Sequence, residues 1–224
     1  MPAAYVRAFG AAQIAEHAQI AARRGSALAH AELCRAAKSS LVCVVADDRP
    51  GLLALVTDAL LVQGFGIHSA QAYCRKRPDG TNERVDFLEL HHRARGGAAE
   101  GFEASELESF LQTLIDLISE DIRASARPSA APVRSVPPAR VYFELEALRR
   151  NQYVLLVEAP DSQGLLHAIT SALYAQGVRI LTCQIATDAG QARDCFELAS
   201  VDGQPLTAVD LCDIQLSVLG SLPR

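Results

Sequence analysis

The sequence repeats itself once. The segment Asp48–Leu53, with the letters DRPGLL, aligns with Asp161–Leu166, with the letters DSQGLL. Identity continues at Thr57/Thr170, Ala59/Ala172, Leu60/Leu173, Gln63/Gln176, Gly64/Gly177, Ile67/Ile180 and Gln71/Gln184, then, after a short deletion in the second copy, at Asp86/Asp194, Glu89/Glu197 and Leu90/Leu198. This repeat constrains the fold more than any other feature, because two copies of one unit form the same supersecondary structure. The repeat therefore predicts two similar domains.

A segment rich in alanine, serine and proline separates the two copies. It cannot hold a helix and offers little apolar surface to bury, which is typical of a linker. Its prolines are Pro128, Pro132, Pro137 and Pro138. We therefore predict an N-terminal helical extension at residues 1–28, a first domain at 29–124, a linker at 125–139 and a second domain at 140–224.

Each copy begins with a buried strand that leads into an amphipathic helix. The strands Leu41–Ala46 and Tyr153–Ala159 are short and almost wholly apolar, as a central strand should be. Asp48 and Asp161 are then placed to cap the helices, and Pro50 falls in the predicted first turn of the first helix. The predicted buried positions are Leu52, Leu53, Val56, Ala59 and Leu60 in the first copy and Leu165, Leu166, Ile169, Ala172 and Leu173 in the second.

Two antiparallel strands and a second helix complete each copy. The motifs Ser105-x-x-Glu108 and Thr207-x-x-Asp210 predict capping boxes at the starts of the second helices. Too few residues follow the last helix to form a fourth strand in the second copy. Val141–Leu145, directly before the first strand of that copy, is strand-like and can take the vacant antiparallel position. Residues 30–35 can do the same in the first copy, so both units are predicted to be permuted.

Composition and charge exclude several classes of protein. The net charge of −5 leaves no basic surface for nucleic acid. The longest apolar runs are far shorter than the roughly 20 residues of a membrane-spanning helix, which predicts no membrane association. The six cysteines include no C-x-x-C pair and lie mostly in apolar segments. They predict buried free thiols and a cytoplasmic protein.

The motifs of the repeat resemble a known family. A unit of two helices and four strands with Asp-Arg-Pro-Gly-Leu-Leu at its first helix is similar to an ACT domain, a small ferredoxin-like module that senses amino acids. The second copy, from Ile180–Thr187 through Ala192–Leu198, resembles the last ACT repeat of the bifunctional uridylyltransferase/uridylyl-removing enzymes. The resemblance implies an α+β fold of two ferredoxin-like βαββαβ domains, here permuted, with antiparallel sheets and helices on one face.

The resemblance also implies a function. Those enzymes modify the PII protein in nitrogen metabolism and sense glutamine through tandem ACT repeats. This chain would then be an allosteric sensor that binds a small amino acid, glutamine first, and acts on a PII-type protein or another regulated enzyme. ACT domains often pair, so a homo-oligomer is a further expectation. The alternative is an interaction module, or a fragment of a uridylyltransferase, that binds no small ligand.

Catalysis is not expected. The transferase half of the resembling enzymes needs a Gly-Ser element with paired carboxylates for Mg²⁺, and their hydrolase half needs a His-Asp dipeptide among metal-binding histidines. Neither pattern stands in this sequence. We therefore predict no enzymatic activity, no catalytic residue, no metal site and no cofactor.

The predicted ligand site lies at the starts of the two first helices. Backbone N–H groups at a helix N-terminus attract a carboxylate, and a glycine without Cβ leaves them open to approach. The candidate residues are Asp48, Arg49, Pro50, Gly51, Leu52, Ile67, His68, Asp161, Gly164 and Leu165. The second copy has Ser-Gln in place of Arg-Pro, which favours the first copy. The alternatives are a plain helix cap in both copies and, for His68, a partly buried strand histidine.

Overall fold

The structure is a computed structural model, which describes residues 3–34, 41–77, 79–92, 103–124, 139–150 and 152–223. The chain divides into two compact units. The first comprises Met1–Asp48 and Ala59–Ala124, and the second comprises Arg49–Asp58 and Ser125–Arg224. The beginning of the first helix of copy one thus groups with the second unit. The predicted linker at 125–139 lies outside the described residues except for Ala139, and the predicted domain boundaries stay a prediction.

The first unit contains a four-stranded antiparallel sheet with the strand order β1-β2-β4-β3. Its first strand pairs antiparallel with β2, with Ala29 opposite Ala46. This confirms the permuted strand that the sequence predicts. The elements, of which α3 crosses into the second unit, are α1 (Ala3–Ala8), α2 (Ala11–Arg23), β1 (Ala29–Leu33), β2 (Leu41–Asp47), α3 (Leu52–Val62), β3 (Phe65–Lys76), β4 (Asn82–His92) and α4 (Ala104–Ala124).

The second unit has the same topology, with the strand order β5-β6-β8-β7. Its permuted strand pairs antiparallel with the central strand, with Val141 opposite Val157. The ferredoxin-like α+β fold is therefore confirmed for both copies. The elements are β5 (Arg140–Phe143), α5 (Leu145–Leu148), β6 (Tyr153–Pro160), α6 (Leu165–Ala175), β7 (Val178–Asp188), β8 (Gln191–Ser200) and α7 (Ala208–Ser221).

The strand registers place the two copies of the repeat in equivalent positions. Asp86 lies opposite Val44 on the neighbouring strand, and Asp194 lies opposite Val157. Val44 and Val157 occupy matching positions in the two copies. The sheets thus confirm the sequence alignment residue by residue, including the short deletion between β7 and β8.

The predicted apolar stripes on the first helices are buried in both copies. All ten positions predicted on α3 and α6 are buried. Each helix ends just before a glycine, Gly64 or Gly177, whose positive φ stops the α-helix. The buried positions that the apolar spacing predicts are therefore confirmed.

An additional pair of helices covers the other face of the first sheet. Every residue of β2 from Val42 to Ala46 is buried, which requires cover on both faces. On the second face, Tyr5 of α1 and Ile20 of α2 pack with Cys43 and Phe87 of the sheet. In the second unit, burial along β8 alternates, as expected for a sheet with helices on one face.

A buried ion-pair network joins the end of α2 to the first sheet. The Arg24 guanidinium donates from Nη1 to Glu83 Oε1 at 2.9 Å and from Nη2 to Asp47 Oδ1 at 2.7 Å. Glu83 also accepts from Arg75 Nε at 2.6 Å. Because burial of one unpaired charge would be costly, these contacts fix where the N-terminal extension lies on the sheet.

The helix caps agree with the sequence at one second helix and differ at the other. On α7, the Thr207 backbone N–H donates to Asp210 Oδ2 at 2.7 Å and the Asp210 N–H donates to Thr207 Oγ1 at 3.2 Å, which confirms the predicted box. The predicted box at Ser105 is wrong. The α4 helix begins at Ala104, because the Glu103 N–H donates to Glu106 Oε2 at 3.0 Å and starts the helix before Ser105.

All six cysteines are free thiols, as the sequence predicts. The prediction that they are buried is confirmed for Cys34, Cys43 and Cys183, whereas Cys74 and Cys195 are half-buried and the prediction is wrong for Cys212, which is exposed. Across the part of the chain that the structure describes, no helix combines the length and the apolar character needed to span a bilayer.

Candidate functional site

The loop between β2 and α3 carries the first copy of the predicted site. Gly51 has φ of +79°, in the left-handed region, so it cannot belong to the α-helix. The helix therefore begins at Leu52, and the prediction that Pro50 lies in its first turn is wrong. The turn before the helix is closed by the Leu52 N–H, which donates to the Arg49 carbonyl oxygen at 3.3 Å.

The second copy repeats this geometry between β6 and α6. Gly164 is the N-cap residue of α6, with φ of +75° and no side-chain hydrogen bond to the helix. The prediction that Asp161 caps α6 is therefore wrong. Instead, the Asp161 backbone N–H donates to the Gly190 carbonyl oxygen at 2.9 Å, and the Leu165 N–H donates to the Ser162 carbonyl oxygen at 3.2 Å. Both loops thus enter the helix through a left-handed glycine.

The glycine of the first loop lies against an aromatic ring. A Cβ placed on Gly51 would lie 3.0 Å from ring carbons of Tyr174, closer than ordinary van der Waals contact. The absence of a side chain at Gly51 therefore makes room for the Tyr174 ring. Within the second unit, this contact gives the first motif a packing role.

A pair of glycine variants should separate backbone strain from this contact. Gly64 has φ of +77° and nothing within 4 Å of an added Cβ, so it shares the strain of Gly51 without the clash. We expect Gly64→Ala to lower the free energy of unfolding by about 1–2 kcal/mol and Gly51→Ala to lower it further. Urea unfolding of both variants measures the difference. Equal losses would show that the Tyr174 ring yields without cost.

The predicted residues on β3 lie at a β-bulge. The register of β3 against β4 shifts between Ile67 and Ser69, so His68 is the extra residue. His68 is exposed, and the alternative of a partly buried histidine is wrong. The bulge recurs between Ile180 and Thr182 on β7, where Leu181 takes the place of His68.

The predicted site residues are divided between the two units. Asp48, Ile67 and His68 group with the first unit. Arg49, Pro50, Gly51, Leu52, Asp161, Gly164 and Leu165 group with the second. The structure does not test their role as ligand contacts, which therefore stays a prediction.

A buried carboxylate on β8 interacts electrostatically with Asp161 of the β6–α6 loop in the second unit. Asp194 is 2% exposed, on the inward face of β8. Burial raises the pKa of Asp194 to about 7, the nearby Asp161 carboxylate adds to the rise, and the Ala186 backbone N–H opposes it. The Ser162 hydroxyl of the loop is buried as well. The sequence alignment pairs Asp194 with Asp86 but does not indicate that Asp194 is buried. The signal for its burial is its alternation with the apolar residues Ala192 and Phe196.

The equivalent carboxylate of the first unit has a different environment. The Arg84 guanidinium donates from Nε to Asp86 Oδ1 at 2.8 Å, and both side chains are buried. Burial raises the pKa of Asp86, while the Arg84 guanidinium opposes that rise. This carboxylate is thus paired with a cation from the chain itself, although burial has the larger effect on its pKa.

The sequence is similar to those of several bifunctional uridylyltransferase/uridylyl-removing enzymes. A bifunctional uridylyltransferase/uridylyl-removing enzyme from Streptomyces coelicolor is 27% identical over 183 residues, which cover 80% of this chain and 22% of the relative. One from Xanthomonas campestris pv. campestris (strain B100) is 30% identical over 169 residues, covering 74% and 18%. The chain resembles these enzymes. It spans about a fifth of the length of these uridylyltransferase relatives.

Other comparisons add no functional information. No family profile matches the chain. Among solved structures, an aspartate kinase from Synechocystis matches with a TM-score of 0.34 and 13% identity, over 84% of this chain and 29% of that chain. A similarity with a TM-score this low supports no conclusion about this chain.

Within the described ranges, no group of three or more histidine, cysteine, aspartate or glutamate side chains is placed to hold a metal ion.

Proposed function

We propose that this chain is a regulatory ACT-type module that binds a small amino acid and passes the bound state to a partner. Its resemblance to the uridylyltransferases favours glutamine as the ligand and nitrogen metabolism as the setting. The partner would be a PII-type protein or another regulated enzyme in the cytoplasm. The chain itself would carry no catalytic residue, because it matches only about a fifth of each relative.

One observation carries this proposal. The α6 helix begins at a left-handed glycine, and its N-cap supplies no side-chain hydrogen bond. The first backbone N–H groups of a helix need external acceptors, and the helix dipole adds attraction for an anion. A ligand carboxylate meets both requirements at the start of α6. Asp161, which is exposed in the same loop, is available to an ammonium group.

A second candidate function is supported by the first copy of the motif. There the Tyr174 ring takes the space next to Gly51, so the loop packs instead of remaining open. If both motifs serve only to pack side chains within the fold, the chain would be an interaction module that binds no small ligand.

Titration calorimetry of the full chain against the twenty protein amino acids tests the proposal. We expect saturable binding of glutamine, and weaker or no binding of amino acids whose side chains differ in charge and size. Circular dichroism in parallel verifies that the protein is folded. If none of the twenty amino acids binds to folded protein, the sensor proposal is wrong and the interaction module is the better description.

A further inference from the structure

The two copies of the repeat differ at one buried position beside a shared carboxylate. Asp86 and Asp194 hold the same place in their sheets, since each lies opposite the matching valine of the neighbouring strand. Two residues earlier, on the same face, the first copy has Arg84 and the second has Ala192. Ala46 and Ala159 face these two positions in matching register. The arginine is therefore lost in the second copy without any change of backbone register.

The loss leaves the second carboxylate without the cation that the first one has. In the described part of the chain, Asp194 Oδ1 is buried and has no hydrogen-bond partner, and the same is true of Ser162 Oγ in the loop next to Asp161. Buried carboxylates in proteins are normally paired, because removal of an unpaired charge from water is costly. The second unit thus has a negative site whose counterpart in the first unit is filled by a guanidinium.

We propose that Asp194 binds the ammonium group of a ligand, which takes the place that the Arg84 guanidinium takes beside Asp86. The inference rests on the proposed function and deepens it, since it names the copy that binds and the group that is recognised. An α-amino acid carries both charges that the loop can accept. Its ammonium would lie on Asp194 with Asp161 nearby, and its carboxylate would lie at the start of α6.

The inference predicts one ligand in the second unit and no equivalent cation site beside Asp86. In the first unit, the Arg84 side chain already occupies the position beside the carboxylate. The sequence alone favoured the first copy, because its Asp-Arg-Pro-Gly motif is intact. The buried residues of the sheets point to the second copy instead.

Two variants of the full chain test the site from opposite directions. Asp194→Asn keeps the shape of the side chain and removes its charge, and Ala192→Arg supplies the missing guanidinium. We expect both to weaken glutamine binding by about thirtyfold or more, as when one member of a buried charge pair is removed. Arg193→Ala is the matched control, because Arg193 lies between them on the opposite, exposed side of β8. It should keep the wild-type affinity within about twofold.

Two further probes identify the cation and do not depend on the folding of Ala192→Arg. N-acetylglutamine lacks the ammonium and should bind at least about thirtyfold more weakly than glutamine. The Asp194 carboxyl carbon, followed by NMR as the pH is varied, should show a lower pKa when glutamine is bound. Potassium chloride and methylammonium chloride, added separately, distinguish an inorganic cation from an organic ammonium.

The outcomes separate this inference from the proposed function. If glutamine binds equally well to Asp194→Asn, or N-acetylglutamine binds as tightly, the ammonium site is wrong and the sensor proposal stands. If no amino acid binds, the sensor proposal fails and the NMR titration decides the site. A pKa of Asp194 that falls with methylammonium supports the ammonium site. A pKa that falls only with potassium, or with neither salt, overturns it.

Discussion

At pH 8, the Asp194→Asn variant is expected to be more stable than the wild-type protein. The pKa of Asp194 is about 7 in the folded chain, against an ordinary value of 3.8. Between these values the unfolded chain releases its proton while the folded chain keeps it, so wild-type stability falls as the pH rises. Below pH 3.8 and above pH 7, the contribution of Asp194 to the free energy of unfolding no longer changes with pH. The difference of about three pKa units corresponds to about 4 kcal/mol of stability. The wild type loses this stability as the pH rises from 3.8 to 7, and the asparagine variant does not.

Urea unfolding of both proteins between pH 4 and pH 8 measures this effect. The free energy of unfolding of the variant, relative to that of the wild type, should rise steadily as the pH increases. Above pH 7 the difference between the two proteins should be constant. Asp86→Asn is the comparison variant at the matching position of the first unit. It removes a carboxylate that accepts from the buried Arg84 guanidinium, so it should be less stable than Asp194→Asn at every pH in this range. Parallel curves for Asp194→Asn and wild type would mean that Asp194 is ionised in the fold.

Arg24→Gln is expected to loosen the N-terminal helices from the first sheet. Arg24 is buried and pairs with Glu83 and Asp47, so its removal leaves Glu83 buried with one of its two cations. Removal of one partner from a buried ion pair costs about 3–5 kcal/mol. We expect a loss near the lower end, because Arg75 still pairs with Glu83.

The preceding arginine offers a matched control. Arg23 pairs with Glu32, but its side chain is 48% exposed. Exposed ion pairs contribute little to stability, so Arg23→Gln should change the free energy of unfolding very little. Thermal unfolding of the two variants measures both effects, and loss of near-ultraviolet signal from Tyr5 and Tyr73 would report release of α1. Equal stability of the two variants would show that the buried network does not hold the extension in place.

Much of the fold could be predicted because apolar spacing reports which faces of an element are buried. The stripes on α3 and α6 follow from this spacing, and the permuted strands follow from the order of apolar segments around each copy. The spacing does not report what covers a face. The apolar residues on both sides of β2 required a second layer, yet nothing local in the sequence assigned that layer to α1 and α2.

The candidate site was predicted less completely, for two physical reasons. A glycine in a motif marks a backbone conformation or a close approach, but its letter does not say which atom approaches. At Gly51 that atom belongs to the Tyr174 ring. A buried charge is defined by its partners, which come from other strands and loops. The contrast between Asp86 with Arg84 and Asp194 with Ala192 therefore became clear only once the strand registers were known.

Because α1 covers the first sheet, its packing during synthesis depends on residues that are added much later. Tyr5 packs in one core cluster with Phe87 and Tyr73, which the ribosome adds much later. At about 5–20 residues per second, the first helix waits roughly 4–16 seconds for Phe87 to be made. During that interval the Tyr5 ring lacks its aromatic partners Tyr73 and Phe87 from β3 and β4. The α1 helix is therefore among the last parts of the first unit to complete its packing, although it precedes the whole sheet in sequence.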